Sequence, residues 1–243
     1  VIIAEAERRL RIGNDAIPFL VVKGRPNRIR LSFNPENHLQ IETGNGALGK
    51  FERDFLATKT TWILKAYRIR KDAHHQKARF LEDVENSIQI LGRQTPIEFV
   101  PDTKTYFKYS QTGNFRVFAP ARFIRAHKKK VLYFALRKFS ELYLAQRLAH
   151  WAKVTNLHYN RLVIKDLRSK WGSCSTLRNI NLNWQLILLD DALIDYVVIH
   201  ELMHLHEMNH SPQFWAWVGR YCPNYPSLRK KLKEQQWLVG ILN

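Results

Sequence analysis

HELMHLHEMNH, residues 200–210, sets two histidines four positions apart, a glutamate directly after the first and a third histidine six positions after the second. On an α-helix, about 100° per residue brings position i+4 back to within about 40° of position i, one turn higher. His200 and His204 can then aim their imidazoles at one ion, with Glu201 on the flank beside a water on that ion. His210 lies beyond the helix and approaches from another side. Three protein nitrogens leave one tetrahedral position open, as a catalytic rather than a structural zinc site requires.

The flanks frame this motif. Asp190 is a natural N-cap for a helix that carries Leu193, Tyr196, Val197, His200 and His204 along one side. Ser211-Pro212 opens a second helix with the stripe Phe214, Trp217, Val218 and Tyr221. Pro223 and Pro226 are read as ending it, before a basic last helix over 228–238. A turn between the two helices folds His210 back toward the first. Upstream, residues 162–174 and 179–189 flank Ser175-Thr176-Leu177-Arg178 in the layout of an antiparallel hairpin.

Further out, a helical pattern from Val131 to about Val154 has apolar positions at Leu132, Leu136, Phe139, Tyr143, Leu144 and Leu148. Residues 17–43, 88–100 and 105–119 carry short β-like runs, the first group read as small antiparallel strands. Gln111-Thr112-Gly113-Asn114 is a hairpin turn by composition. A helical period runs from Phe51 to about Phe80. Strand signals stop near Ala121–Lys130, which divides the chain into a strand-rich region with one long helix (1–125) and a catalytic domain (126–243).

Composition bounds the partners. At 243 residues, with 45% hydrophobic and 25% charged residues, the chain is an ordinary globular length. The 39 Lys and Arg against 21 Asp and Glu leave a net charge of +18. Residues 101–150 hold eleven basic and two acidic residues, which points to a polyanionic partner, nucleic acid or nucleotide, or else to a solvated surface. Two cysteines make no disulfide framework and fit a reducing, cytoplasmic setting. No apolar run is long enough for a membrane span, and the amino-terminal run is too short and too acidic for a signal peptide.

The third ligand has a rival. If the helix continued through residue 207, Glu207 would return to the face of His200, as a ligand or as a carboxylate orienting one of the histidines. His206 points to another face. The His200–His204–His210 spacing equals that of metzincins, but Glu207 stands where they have glycine and no Met-turn follows, so that reading fails. His74, His75, His127, His150 and His158 lack ligand spacing and read as surface residues.

RSKWGSCS (168–175), then INLNWQLILL, then DYVVIHELMHLHEMNHSPQFW (195–215) closely resemble the YgjP-like branch of the SprT-like and WLM metallopeptidases. The resemblance covers roughly the last 110 residues and joins the Trp-Gly-Ser-Cys hairpin, the metal helix and the NHSxxFW segment in order. It implies one Zn²⁺ on His200, His204 and His210, with Glu201 as general base. It also implies an α+β, zincin-like core in which helices pack on a small antiparallel sheet. The expected chemistry is hydrolysis of polypeptides by metal-activated water.

Arg168 and Tyr225 are candidates for stabilising the oxyanion. Trp171 and its neighbours offer either a strand edge for an extended peptide or a core anchor, with Gly172 as a bulge and Cys174 as a buried small hydrophobe. Two other classes compete. One is a metal-dependent nucleotide phosphohydrolase that uses the basic 101–150 region; the other is a non-catalytic nucleic-acid binder with a structural metal. Three histidines favour zinc over the oxygen-ligated ions of phosphate chemistry, and the intact Glu201 argues against a purely structural site.

Overall fold

The computed structural model describes residues 2–4 (as backbone), 8–110 and 113–241. The chain forms two units, 1–76 and 77–243. The first holds strands β1 (Ile2–Ala4), β2 (Arg9–Ile12), β3 (Asp15–Lys23), β4 (Arg30–Phe33) and β5 (Leu39–Thr43), in the order β1-β2-β3-β5-β4. In Leu39-Gln40-Ile41-Glu42-Thr43 alternate side chains are buried, the period of two that a half-covered strand needs. The pairing is mixed rather than antiparallel throughout, because β3 and β5 run parallel. Helix α1 (Lys50–Thr58) and the start of α2 (Thr60–Asp83) add Leu56 and Ile63 to the core formed by Leu10, Ile17, Phe19, Leu39 and Ile41. The expected single helix over 51–80 is thus broken at Lys59.

The boundary at 76/77 falls within α2, well before the expected 125/126. Residues 77–125 pack into one core with the helices that follow them. Their strands are β6 (Ser87–Ile90), β7 (Arg93–Pro101), β8 (Tyr106–Tyr109) and β9 (Phe115–Ala119), ordered β6-β7-β9-β8. Gln111 and Thr112, in the expected β8–β9 turn, lie outside the described residues. Between β6 and β7 the two turn residues Leu91 and Gly92 both have positive φ (51° and 79°), the pattern of a type I′ hairpin. Gly92 is also required by contact, since a Cβ there would lie 2.9 Å from Cβ of Asp190.

Helix α3 (Ala121–Thr155) is longer than its apolar period predicts and is kinked at His127. Leu132, Leu136, Leu144 and Leu148 recur every turn on its buried side, and Ser140 interrupts that stripe. The Ser140 hydroxyl is satisfied by donating to the Trp184 carbonyl at 2.9 Å. Then come β10 (Arg161–Lys165), β11 (Gly172–Cys174) and β12 (Asn179–Asn183), ordered β10-β12-β11. The β11–β12 hairpin is antiparallel as expected, but β10 pairs parallel to β12, so the sheet beside the metal helix is mixed. Residues 184–188 form a 3₁₀ turn rather than more strand, capped by the Asn183 side chain, which accepts from the Gln185 N–H.

Helix α4 (Asp191–Met203) begins as its cap predicts, the Asp190 carboxylate accepting from the Leu193 N–H at 2.8 Å. It is apolar all round rather than along one stripe. Leu193, Ile194, Tyr196, Val197, Val198, Ile199, Leu202 and Met203 are all buried, the mark of a central helix. Arg147 of α3 forks onto Asp195 and Tyr143 donates to Asp191, which ties α3 to α4 on its more open side. Asp190→Ala is expected to lower the unfolding free energy by about 1 kcal/mol through loss of the cap. A urea titration with an unchanged midpoint would show that the cap contributes nothing.

Helix α5 (Pro212–Tyr221) starts at the expected Ser211 cap, whose hydroxyl accepts from the Phe214 N–H at 3.2 Å. Helix α6 (Tyr225–Glu234) opens earlier than expected, because Pro226 sits in its first turn and starts the helix instead of ending the previous one.

Candidate metal centre

The three histidines converge. One ring nitrogen from each of His200, His204 and His210 lies within 4.8 Å of the others. The Nε2 atoms of His200 and His210 face each other at 3.0 Å. Two nitrogens on one tetrahedral zinc stand about 3.3 Å apart, so this pair already has nearly the spacing of co-ligands. Helix α4 ends at Met203, and His204 is its C-cap. The chain then turns through 204–210, and the Ser211 cap starts α5, which brings His210 back over the first two.

Helix termination settles the geometry of Glu207. The helix does not continue to 207, so the condition that would return Glu207 to the His200 face is not met. Its backbone carbonyl instead pairs with His204 Nδ1 at 3.0 Å. A proton held on Nδ1 by that carbonyl leaves Nε2 as the free lone pair, the usual way a ligand histidine is oriented. His206 leaves the cluster and stacks flat on Trp217, with centroids 4.3 Å apart. His74, His75, His127, His150 and His158 are exposed, as expected.

Beneath the cluster lies Phe214, fully buried, with its ring centroid 4.9, 4.5 and 4.8 Å from those of His200, His204 and His210. This apolar floor desolvates the imidazoles. Burial, reinforced by the neighbouring His204 and His210, pulls the pKa of His200 down to about 3. Burial lowers that of His204 as well. Both rings are therefore neutral near pH 7, the form that binds metal. His200 Nδ1 is buried without a partner among the described residues.

Glu201 is 5% exposed, and its Oε2 also has no hydrogen-bond partner among the described residues. Burial raises its pKa to about 8, and Lys170 opposes the shift. Strand β11 passes directly over the carboxylate. A Cβ built on Gly172 would lie 2.6 Å from Glu201 Oε1, so residue 172 is glycine because of close approach, and the regular β11–β12 register shows no bulge there. The loop before β11 is held by Asn183, whose buried amide donates to the carbonyls of Leu167 and Lys170 at 3.0 and 3.1 Å.

The other expected residues divide. Tyr225 is half-buried and stacks on Trp215, whose ring in turn stacks on His210 (centroids 5.1 and 5.7 Å). Arg168 is exposed in the loop that Asn183 pins. Trp171 is buried in the core at 5% exposure, which leaves almost no ring surface for a substrate. Cys174 is half-buried, and burial followed by the charge of Glu201 pushes its thiol up to about 11, so it is protonated at neutral pH and inert. Asn183, Lys170 and the role of Phe214 beneath the imidazoles escape sequence reasoning. Only Asn183 has a local signal, as a capping side chain before an apolar run.

The family described as YgjP-like, metallopeptidase domain, matches residues 27–235. The chain belongs to the YgjP-like metallopeptidase family. As a member it is a metal-dependent hydrolase of the peptidase kind, and the α+β class expected from the sequence is the class observed, with a mixed rather than antiparallel sheet beside the metal helix. Among solved structures, the crystal structure of the metallopeptidase zymogen jannalysin of Methanocaldococcus jannaschii is similar over 38% of this chain and 95% of its own, at 20% identity and a TM-score of 0.35. No curated protein matches the chain. Among the described residues of this YgjP-like chain no helix is long and apolar enough to cross a membrane.

Proposed function

We propose that this YgjP-like protein is a zinc peptidase in which His200, His204 and His210 hold one ion and Glu201 is the general base. The observation that carries the reading is the convergence of three imidazoles, with the buried Glu201, whose Oε2 has no partner among the described residues, next to the first of them in the chain. The donor set fits zinc: three imidazole nitrogens, one already oriented by a carbonyl, and no fourth protein ligand in the group. When bound, zinc supplies a Lewis acid for the scissile carbonyl and brings the pKa of water to about 7.

The protein side of the reaction is proton handling and positioning. The positive charge of a bound ion would offset the effect of burial and keep the Glu201 carboxyl ionised near neutral pH, so that Oε2 can take the proton of the attacking water and return it to the leaving nitrogen. The roof over Oε1 made by Gly172 holds the carboxylate in place, and the floor made by Phe214 keeps bulk water from the imidazoles. Strand β11 lies at the edge of its sheet, so an extended polypeptide can add to it beside Glu201. Tyr225, next to His210 through Trp215, is the favoured donor to the oxyanion, with Arg168 second. Residues 126–243 carry this machinery, and the two unpaired cysteines suit a cytoplasmic enzyme.

The nucleotide phosphohydrolase reading draws on the basic 101–150 region. There Arg116, Lys128, Arg137, Lys138 and Arg147 each pair with a carboxylate of the chain itself, which weakens the case for a dedicated polyphosphate site. The test strips the protein of metal by chelation, restores zinc stoichiometrically, and offers each form a casein-like polypeptide and nucleoside triphosphates. Polypeptide cleavage is expected only with zinc, at one ion per chain by elemental analysis. Pyrophosphate release would move the assignment to the phosphohydrolase, and inactivity on both substrates would remove the hydrolase mechanism.

A further inference from the structure

We infer that Arg229 is a specificity-determining residue that reads a carboxylate on the polypeptide, so that the site prefers bonds flanked by Asp or Glu. This rests on the peptidase reading above. The guanidinium lies 4.7 Å from the centroid of the Trp215 ring. That ring stacks on His210 at 5.7 Å and lies 5.8 Å from His200. Arg229 is therefore held one aromatic ring away from two of the three histidines, on the rim of the site.

Stacking engages the face of a guanidinium and leaves its in-plane N–H fork free for a bidentate acceptor. In Arg147 that fork is filled by Asp195. For Arg229 no acidic group or other acceptor fills it among the described residues, although the side chain is exposed and at the site. Of the acids on the neighbouring helix α4, Asp195 pairs with Arg147, Asp191 with Tyr143, and Glu201 is buried under Gly172.

Lys170, in the loop pinned by Asn183, contributes positive potential at Glu201, as Arg229 does at His200. The two cations come from different elements, α6 and the loop before β11. A basic side chain of a substrate would meet repulsion from both; an acidic one would meet the exposed guanidinium of Arg229. Selection by attraction on one side and repulsion on the other is how charge specificity is usually built.

The experiment digests a peptide library of broad sequence with the zinc-loaded wild type, Arg229→Gln and Arg229→Glu, and reads the residues around every cleaved bond by mass spectrometry. Wild type is expected to enrich Asp and Glu at one flanking position by about tenfold, the size of a charge-assisted hydrogen bond. Arg229→Gln should erase the enrichment and Arg229→Glu should invert it toward Lys and Arg. A purely structural Arg229 would alter total turnover and leave the enrichment unchanged, and that result overturns the inference. Cleavage by wild type without acidic enrichment overturns it too, whatever the variants do, and leaves the peptidase reading standing. If wild type cleaves no peptide, the peptidase reading fails and takes this inference with it.

Discussion

Gly172→Ala is expected to reduce kcat/KM on polypeptide about a hundredfold while zinc content stays at the wild-type level. The added methyl would sit 2.6, 2.7 and 2.9 Å from Oε1, Cγ and Cδ of Glu201. None of these can retreat easily, because Glu201 belongs to α4, whose neighbouring residues are packed on every side. Either the carboxylate shifts by about an ångström, a displacement that can cost a hundredfold in rate, or β11 lifts away from the helix. Overpacking of this kind also destabilises by about 1–3 kcal/mol. The three histidines are untouched, so elemental analysis and activity should part company. An alanine variant with full activity would mean that the strand and the carboxylate are not in register as described.

Glu201→Gln should be more severe, with a fall in kcat of about 10²–10⁴ and little change in zinc affinity. The amide keeps the size and planarity of the carboxylate, and Oε2 accepts from no donor among the described residues. What is lost is the ability to accept a proton from water. Activity within tenfold of wild type would assign the base elsewhere. The two substitutions are complementary, since Gly172→Ala moves the base and Glu201→Gln removes it.

Local signals account for what was legible in the sequence. Asp190 and Ser211 announce their helices because a cap acts on N–H groups two or three residues away, and both caps form as written. The i, i+4 histidines and the proximity of His210 follow from helix geometry and one short turn. Long-range pairing was not legible. Nothing in residues 161–165 says that they run parallel to 179–183, and WQLIL reads as the continuation of a strand until Asn183 is seen to cap a 3₁₀ turn there. The reason for Gly172 was misread for the same cause: a glycine in a strand suggests a bulge, whereas here it makes room for a carboxylate 29 positions later. Phe214 looked like one more residue of an amphipathic stripe, and only the folded chain shows it under three imidazoles.

The stack of Trp215 on His210 has an optical consequence. Indole emission responds to the charge and ligation of a ring lying flat against it, and Trp171 and Trp184 are buried at the same time. Trp215 is thereby an intrinsic reporter of the centre. Stopped-flow fluorescence, with Trp215→Phe as the dark control, would follow the filling and emptying of the site in real time without a dye or a substrate.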